Sequence, residues 1–190
     1  VIKYTPFIFI ITVLFILSSR GGEIANELES PNLLRISIFL GFSPNKSPDM
    51  INKVLVYRKF SSMNDEQKLM IDALVKNGWN VNSYDARNKT PLILSSVKLD
   101  VRAVELLLEH GANPDLMDAD GDPALLYICN QSGVEAETIL DLLGKSGANF
   151  NVIGSRGFKC RDVAEIHYEG RKRNNSSRRM FEIMDLYDGV

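Results

Sequence analysis

Two cysteines in 190 residues exclude a disulfide-stapled scaffold and any zinc site built from thiolates alone. Charge of one sign is also missing: 22 basic side chains stand against 24 acidic ones, a net charge of −2. A dedicated nucleic-acid binder normally carries a strong basic excess, so that class is set aside. Histidine is scarce. His110 and His167 have no acid or nucleophile in a catalytic spacing, and no G-x-S-x-G, phosphate loop or H-E-x-x-H occurs. A non-enzyme without cofactor or metal is therefore expected. What is present, 45% hydrophobic and 24% charged residues, is the balance of a folded domain rather than a disordered chain. The length suits one domain with at most an appendage.

The apolar residues are densest at the N-terminus, where residues 1–22 read VIKYTPFIFIITVLFILSSRGG. From Phe7 to Leu17 every position but Thr12 is strongly apolar, Lys3 precedes the run, and Ser18, Ser19, Gly21 and Gly22 follow it. Basic start, short apolar stretch and small-residue exit are the layout of a secretory signal, with Ser19 and Gly21 at −3 and −1 of a cut after Gly21. The run falls short of the roughly 20 residues of a comfortable transmembrane helix. Residues 1–22 are thus read as a signal peptide or an N-terminal membrane anchor, placing the rest in the periplasm. Residues 23–63 are expected to form an N-terminal helical cap, with Leu33, Leu34, Ile36, Ile38, Phe39 and Leu40 as its apolar content.

A repeat lies in the middle of the chain. DARNKTPLILSSVKLDVRAVELLLEHGANPD begins at Asp85, and DADGDPALLYICNQSGVEAETILDLLGKSGANFN begins at Asp118, 33 residues on. Their ends, Gly111-Ala112-Asn113 and Gly147-Ala148-Asn149, match at 36, so the second unit carries three extra residues. Thr90-Pro91 opens a helix, with proline where its missing N–H is harmless. Asp100 caps a second one, on which Val101, Val104, Leu107 and Leu108 recur at helical spacing. His110-Gly111 ends it, since glycine takes the left-handed conformation favoured there. In the next unit Ser132 and Glu135 are read as a capping box, followed by Ile139, Leu140, Leu142 and Leu143. A helix pair of this size cannot bury its own apolar face, whereas stacked pairs can.

Thr90-Pro91-Leu92, the L-L-x-x-G-A-N of Leu107–Asn113 and the D-A-D-G of Asp118–Gly121 resemble the ankyrin repeat. Ile93 replaces the family's histidine, and Pro123-Ala124-Leu125 replaces T-P-L. The resemblance implies an all-α solenoid of about four helix-turn-helix repeats with β-hairpin-like loops over residues 64–190. The units are the divergent end of a first repeat at 64–82, then 83–115, 116–151 and a terminal cap at 152–190. Ile71 and Leu74 take the places of Val104 and Leu107, Arg161–Ala164 is similar to terminal repeats, and Phe181, Ile183, Met184 and Leu186 mark the last helix.

The acids of DLMDADGD invite a calcium reading, but Pro123 stands where a calcium loop needs glycine. The hairpin resemblance accounts for Asp118 and Gly121 instead. Cys129 and Cys160 are not at equivalent repeat positions and are expected as buried free thiols, the alternative being a disulfide formed in an oxidising compartment. The Arg171–Arg173 and Arg178-Arg179 clusters read as a solvated loop. Asn88 and Asn175 fit the glycosylation triplet.

Transferred position by position, the family's contact sites fall on Arg87, Lys89 and Lys98, then on Asp120, Asp122, Asn130 and Gln131, then on Arg156, Phe158 and His167. Ala86, Val97, Ala119, Ser155 and Ile166 complete the set. Charge that alternates along the face suits a structured protein partner rather than a polyanion. Phe158 and Trp79 are candidate anchors. Combined with export, the resemblance points to bacterial periplasmic ankyrin proteins, among them immunity proteins that inhibit secreted antibacterial effectors such as type VI lipases or phospholipases. The expected function is such a non-catalytic inhibitor, with no nucleic acid bound and the membrane met through the N-terminal segment only. The alternatives are a periplasmic scaffold or oxidative-stress protection protein and a hydrolase hidden in residues 24–60.

Overall fold

Three glycines with φ near +80°, Gly78, Gly111 and Gly147, set the period of the molecule. Each closes a helix by the left-handed turn, and the G-A-N or G-W-N segment it opens lies at the end of its repeat. The computed structural model describes residues 51, 55, 65–76, 78–168 and 175–187, all within the compact unit Pro48–Val190. The signal or anchor segment 1–22, the stretch Leu33–Leu40 and the basic cluster Arg171–Arg173 lie outside the described residues.

Seven helices are described: α1 (Asp65–Lys76), α2 (Pro91–Val97), α3 (Val101–Glu109), α4 (Ala124–Cys129), α5 (Val134–Lys145), α6 (Cys160–Tyr168) and α7 (Asn175–Tyr187). Within a repeat, α2 packs on α3, α4 on α5 and α6 on α7. Between repeats, the first helices stack as α2–α4–α6 and the second helices as α3–α5–α7. The fold is therefore the all-helical two-layer stack anticipated, and no strand longer than the single Met117–Pro123 bridge occurs among the described residues. Leu92, Ile93 and Leu107 of one repeat, Leu125, Ile128, Ile139, Leu140 and Leu143 of the next, and Met180 and Met184 of the last are buried. Burying each such side chain stabilises the fold by about 1.5–3 kcal/mol. Ile71 and Leu74 are buried as Val104 and Leu107 are. Leu186 is not: it is 68% exposed, because on α7 it sits three positions beyond Ile183 on the outward edge of the stripe.

The helix starts show how local chemistry varies within one design. Thr90 Oγ1 accepts the Ile93 N–H at 3.2 Å, and Asp100 Oδ1 accepts the Ala103 N–H at 3.2 Å. At α6 the Asp162 carboxylate reaches back to the Lys159 N–H, 2.9 Å, the acidic half of a capping box. The expected Ser132/Glu135 box does not form. Gly133, at φ 111°, is the residue before α5 and offers no side-chain cap. The longer α4–α5 connection puts a glycine at the place where Asp100 stands in the preceding repeat.

Repeat registers with repeat through one ladder. Asn80, Asn113 and Asn149 each accept, through Oδ1, the N–H two residues on, at 2.9, 3.0 and 2.9 Å. The residue so held reaches into the next unit: Asn82 Oδ1 accepts the Asn113 N–H and Asp115 Oδ1 accepts the Asn149 N–H, both at 2.8 Å. Backbone donors that no helix satisfies thus find side-chain partners, at the solvent-exposed edge of the stack.

The cysteines are a correction. Cys129 and Cys160 form a disulfide, Cα atoms 5.4 Å apart, with both residues fully buried. Cys129 ends α4 and Cys160 begins α6, two helices that pack together. Non-equivalent positions meet here because stacked first helices are offset along their axes, so the late position of one helix neighbours the early position of the next.

Candidate functional site: a cleft between two hairpin tips

Three hairpin tips project beside the first helices. Backbone bonds close them from Asp85 to Lys89 (2.9 Å), Asp118 to Asp122 (3.2 Å) and Gly154 to Phe158 (3.0 Å). Each passes through a left-handed residue at the same place, Asn88, Gly121 and Gly157, with φ of 59°, 88° and 78°. Asp85 Oδ1 organises the first tip by accepting the Arg87 and Lys89 N–H groups at 2.9 and 2.8 Å. Asp118 Oδ1 does the same in the second with Asp120 and Asp122, at 3.0 and 3.2 Å.

The third tip has Gly154 at that position and borrows its carboxylate from the tip before. Asp122 accepts the Ser155 N–H at 2.8 Å and the Ser155 hydroxyl at 2.9 Å. A Cβ on Gly154 would overlap Leu126 Cδ1 and Asp122 Oδ1. Glycine lets the two tips close on each other.

Several groove residues are spent in holding the stack together. The Lys89 ammonium donates to Asp118 and, at 2.7 Å, to the Tyr127 hydroxyl, and lies 4.5 Å from the Tyr127 ring centre. The Tyr127 hydroxyl in turn donates to Asp118. Burial by itself would raise the Asp118 pKa, but the hydrogen bonds from Lys89 and Tyr127 outweigh it and hold the carboxyl below its ordinary range. Lys89, which burial would lower, is raised by the same partners. Lys98 donates to the Leu55 carbonyl at 3.1 Å, and burial pushes its pKa down. Of the four acids of DLMDADGD, three are engaged: Asp115 by Asn149, Asp118 by Lys89 and Tyr127, and Asp122 by Ser155.

Other predicted positions remain outward. Arg87 is exposed with its guanidinium 3.5 Å from Asp85. Asp120 and Arg156 are exposed, and neither makes an ion pair among the described residues. Phe158 and Ile166 are 41% and 55% exposed, and Val97, at the position of Ile166 two repeats earlier, is 43% exposed. His167 stands edge-on to Tyr168, whose hydroxyl donates to the Gln131 carbonyl at 2.9 Å. His110 lies away from this face, 2.7 Å from Asp72. Trp79 is half-buried at the turn after α1.

Between the second and third tips lies a cleft of about 140 Å³. Asp122, Asn130, Gln131, Arg156 and Phe158 line it, so five of the residues named from sequence converge. Leu126, Tyr127, Gly154 and Val163 supply the rest. Sequence reasoning had passed over these four. Tyr127 carried a signal nonetheless, because a phenol among first-helix aliphatics needs a polar partner for its hydroxyl. The cleft offers amides, a guanidinium and an aromatic edge on an apolar floor, which is chemistry for recognition.

The matches to known proteins agree with this geometry. The family model for ankyrin repeats (3 copies) matches residues 60–153. An ankyrin repeat protein of Acanthamoeba polyphaga mimivirus, R841, is 26% identical over 144 residues, covering 72% of this chain and 24% of the viral protein. AKR2 of Saccharomyces uvarum, named as a palmitoyltransferase, is 37% identical over 89 residues, 47% of this chain and 12% of that protein. The chain thus spans a quarter or less of the length of these curated relatives. The crystal structure of the ankyrin repeat domain of Bcl-3, described as a member of the IkappaB protein family, superposes with a TM-score of 0.53 at 23% identity. It covers 63% of this chain and 47% of that one. Repeating left-handed glycines, asparagine ladder, two helical layers and hairpin tips are one architecture, the all-helical ankyrin-repeat fold.

Proposed function

We propose that the stack is a non-catalytic protein-binding module that engages its partner through the hairpin tips and first helices of its last two described repeats. The observation that carries this reading is the cleft, where Asn130, Gln131, Arg156 and Phe158 stand together while neighbouring polar groups are bound up in the stack. Ankyrin folds are typically binding scaffolds, and the palmitoyltransferase relative is matched over too little of its length to lend an activity. The test is affinity capture by the full chain from its native lysate, repeated with Phe158→Asp and with Glu105→Lys on exposed α3. A partner retained by the parent and the α3 variant but lost from Phe158→Asp supports the reading. Loss with the α3 variant alone moves the interface elsewhere.

The narrower reading, an exported inhibitor that occludes a secreted antibacterial lipase, rests on the layout of residues 1–22. The buried Cys129–Cys160 disulfide supports an oxidising compartment, since cytosolic thiols are generally kept reduced. The relatives come from a virus and a yeast and lend no support to a bacterial immunity role. Cell fractionation decides the compartment: recovery of the chain among reduced cytosolic proteins removes the export reading and leaves the binding module standing.

A further inference from the structure

We infer that the Cys129–Cys160 disulfide is a redox-sensitive fastening for the cleft. Oxidised, it seats α6 and the third hairpin tip on the repeat before. Reduced, it lets both come away while α7 stays in place, so the cleft exists only where thiols are oxidised. This goes beyond the reading as a binding module, whose partner it leaves open. Position in the chain is the first argument. The bridge joins the last residue of α4 to the first of α6, with Cα atoms 5.4 Å apart. Its two ends carry the cleft: Asn130 and Gln131 follow Cys129, while Phe158 and Val163 flank Cys160.

Uneven packing is the second argument. Repeats in a solenoid are held by their neighbours. Among the first helices α4 packs on both α2 and α6, whereas α6 packs on α4 alone among the described residues. The buried side chains of α6 are Cys160, Ala164 and Tyr168. The leucines and isoleucines that anchor α2 and α4 by burial have no buried counterpart on it. The Tyr168 hydroxyl bonds the Gln131 carbonyl and Ser155 bonds Asp122, polar contacts of the modest worth that competition from water leaves them. The covalent link therefore supplies a large share of what fixes α6. The last helix differs: Met180, Ile183 and Met184 are buried, and Tyr187 stacks on Phe150 at 5.5 Å and donates to Asp141 at 2.9 Å. These contacts hold α7 on α5 without passing through the bridge.

The switching step is thiol–disulfide exchange with a dithiol. Both cysteines are fully buried, so attack waits on an opening of α6. One thiolate of the dithiol attacks a bridge sulfur, the S–S bond breaks, and the released sulfur takes a proton. The second thiolate then attacks the mixed disulfide. The dithiol leaves as a cyclic disulfide, and Cys129 and Cys160 remain as thiols, together two electrons and two protons richer. The next opening then proceeds without the tether that limited it.

The test is hydrogen–deuterium exchange of the full chain, purified without reductant, before and after treatment with dithiothreitol. After reduction the amides of α6 are expected to exchange roughly tenfold faster or more, while those of α2, α3 and α7 keep their rates. Reoxidation restores the protection. A double variant, Cys129→Ala with Cys160→Ala, shows the reduced pattern from the start, and dithiothreitol leaves its exchange unchanged. Unaltered exchange in α6 of the reduced parent overturns the inference, since burial then holds the helix unaided. An equal rise in α2, α3 or α7 also overturns it, since the bridge is then a general staple. Free thiols in the untreated chain overturn it at the outset. Exchange needs no partner, so none of these results touches the binding-module reading, which the capture experiment judges separately.

Discussion

Asp118 reaches across from one hairpin tip to the ammonium of Lys89 on the tip before it, 29 residues earlier in the chain, and shares that contact with the Tyr127 hydroxyl. Its other oxygen holds the N–H groups of Asp120 and Asp122. One carboxylate, 1% exposed, thus shapes its own tip and ties it to the neighbouring repeat. Asp118→Ala leaves a half-buried ammonium and two amides without their acceptor. The expected loss is about 3–5 kcal/mol in urea unfolding, the range for breaking a buried pair. Tyr127→Phe, which removes one hydroxyl and keeps the ring beside Lys89, is expected to cost about 1 kcal/mol.

The same group contributes to the acid limb of stability. The Asp118 pKa is depressed in the folded state, so its stabilisation is present above the unfolded value of about 4 and disappears as pH falls through the lower, folded value. Lys89 and Tyr127 are raised, so their contribution is complete below about pH 10 and is lost as pH rises through the folded values. Melting temperature is expected to hold level with respect to this trio from about pH 5 to 9 and to fall on both sides. In Asp118→Asn the acid limb is shallower. A parallel acid limb in that variant would assign the effect to other carboxylates.

Reduction of the Cys129–Cys160 bridge releases a loop whose ends are 31 residues apart. Chain-entropy arguments put its contribution at about 3.5 kcal/mol. Denaturing thiol titration of protein purified without reductant is expected to find no free thiol, and reductant is expected to lower the urea midpoint. A reductant-insensitive midpoint would show that burial alone holds α4 against α6.

Leu99 adopts φ 57° between α2 and α3, a conformation that strains a branched-chain residue and suits asparagine better. Leu99→Asn is expected to stabilise the chain by about 0.5–1 kcal/mol, provided the half-buried leucine contributes less than the strain. A fall in the thermal midpoint would mean that its packing dominates.

Periodicity made the stack legible. Gly78, Gly111 and Gly147 recur because a left-handed helix end admits few other residues, and Leu107 and Leu143 recur because a helix pair must bury one stripe. Thr90 and Asp100 were readable as caps because their bonds lie within three residues. Ser132 and Glu135 were misread since that same local pattern yields to an intervening glycine. The hairpin-tip positions, too, followed from spacing, and five of them do line one cleft.

What spacing cannot carry is the partner a side chain finds in the next repeat. Lys89, Lys98 and Asp122 look like free groove charges along the chain, yet Asp118, the Leu55 carbonyl and Ser155 engage them at separations of 29, 43 and 33 residues. Cys129 and Cys160 look unpaired because sequence equivalence ignores the axial offset of stacked helices. Repeat identity depends on backbone conformation and burial, which each unit settles for itself. Which charges remain to meet a partner depends on how one unit stacks on the next, and only the tertiary structure holds that distance.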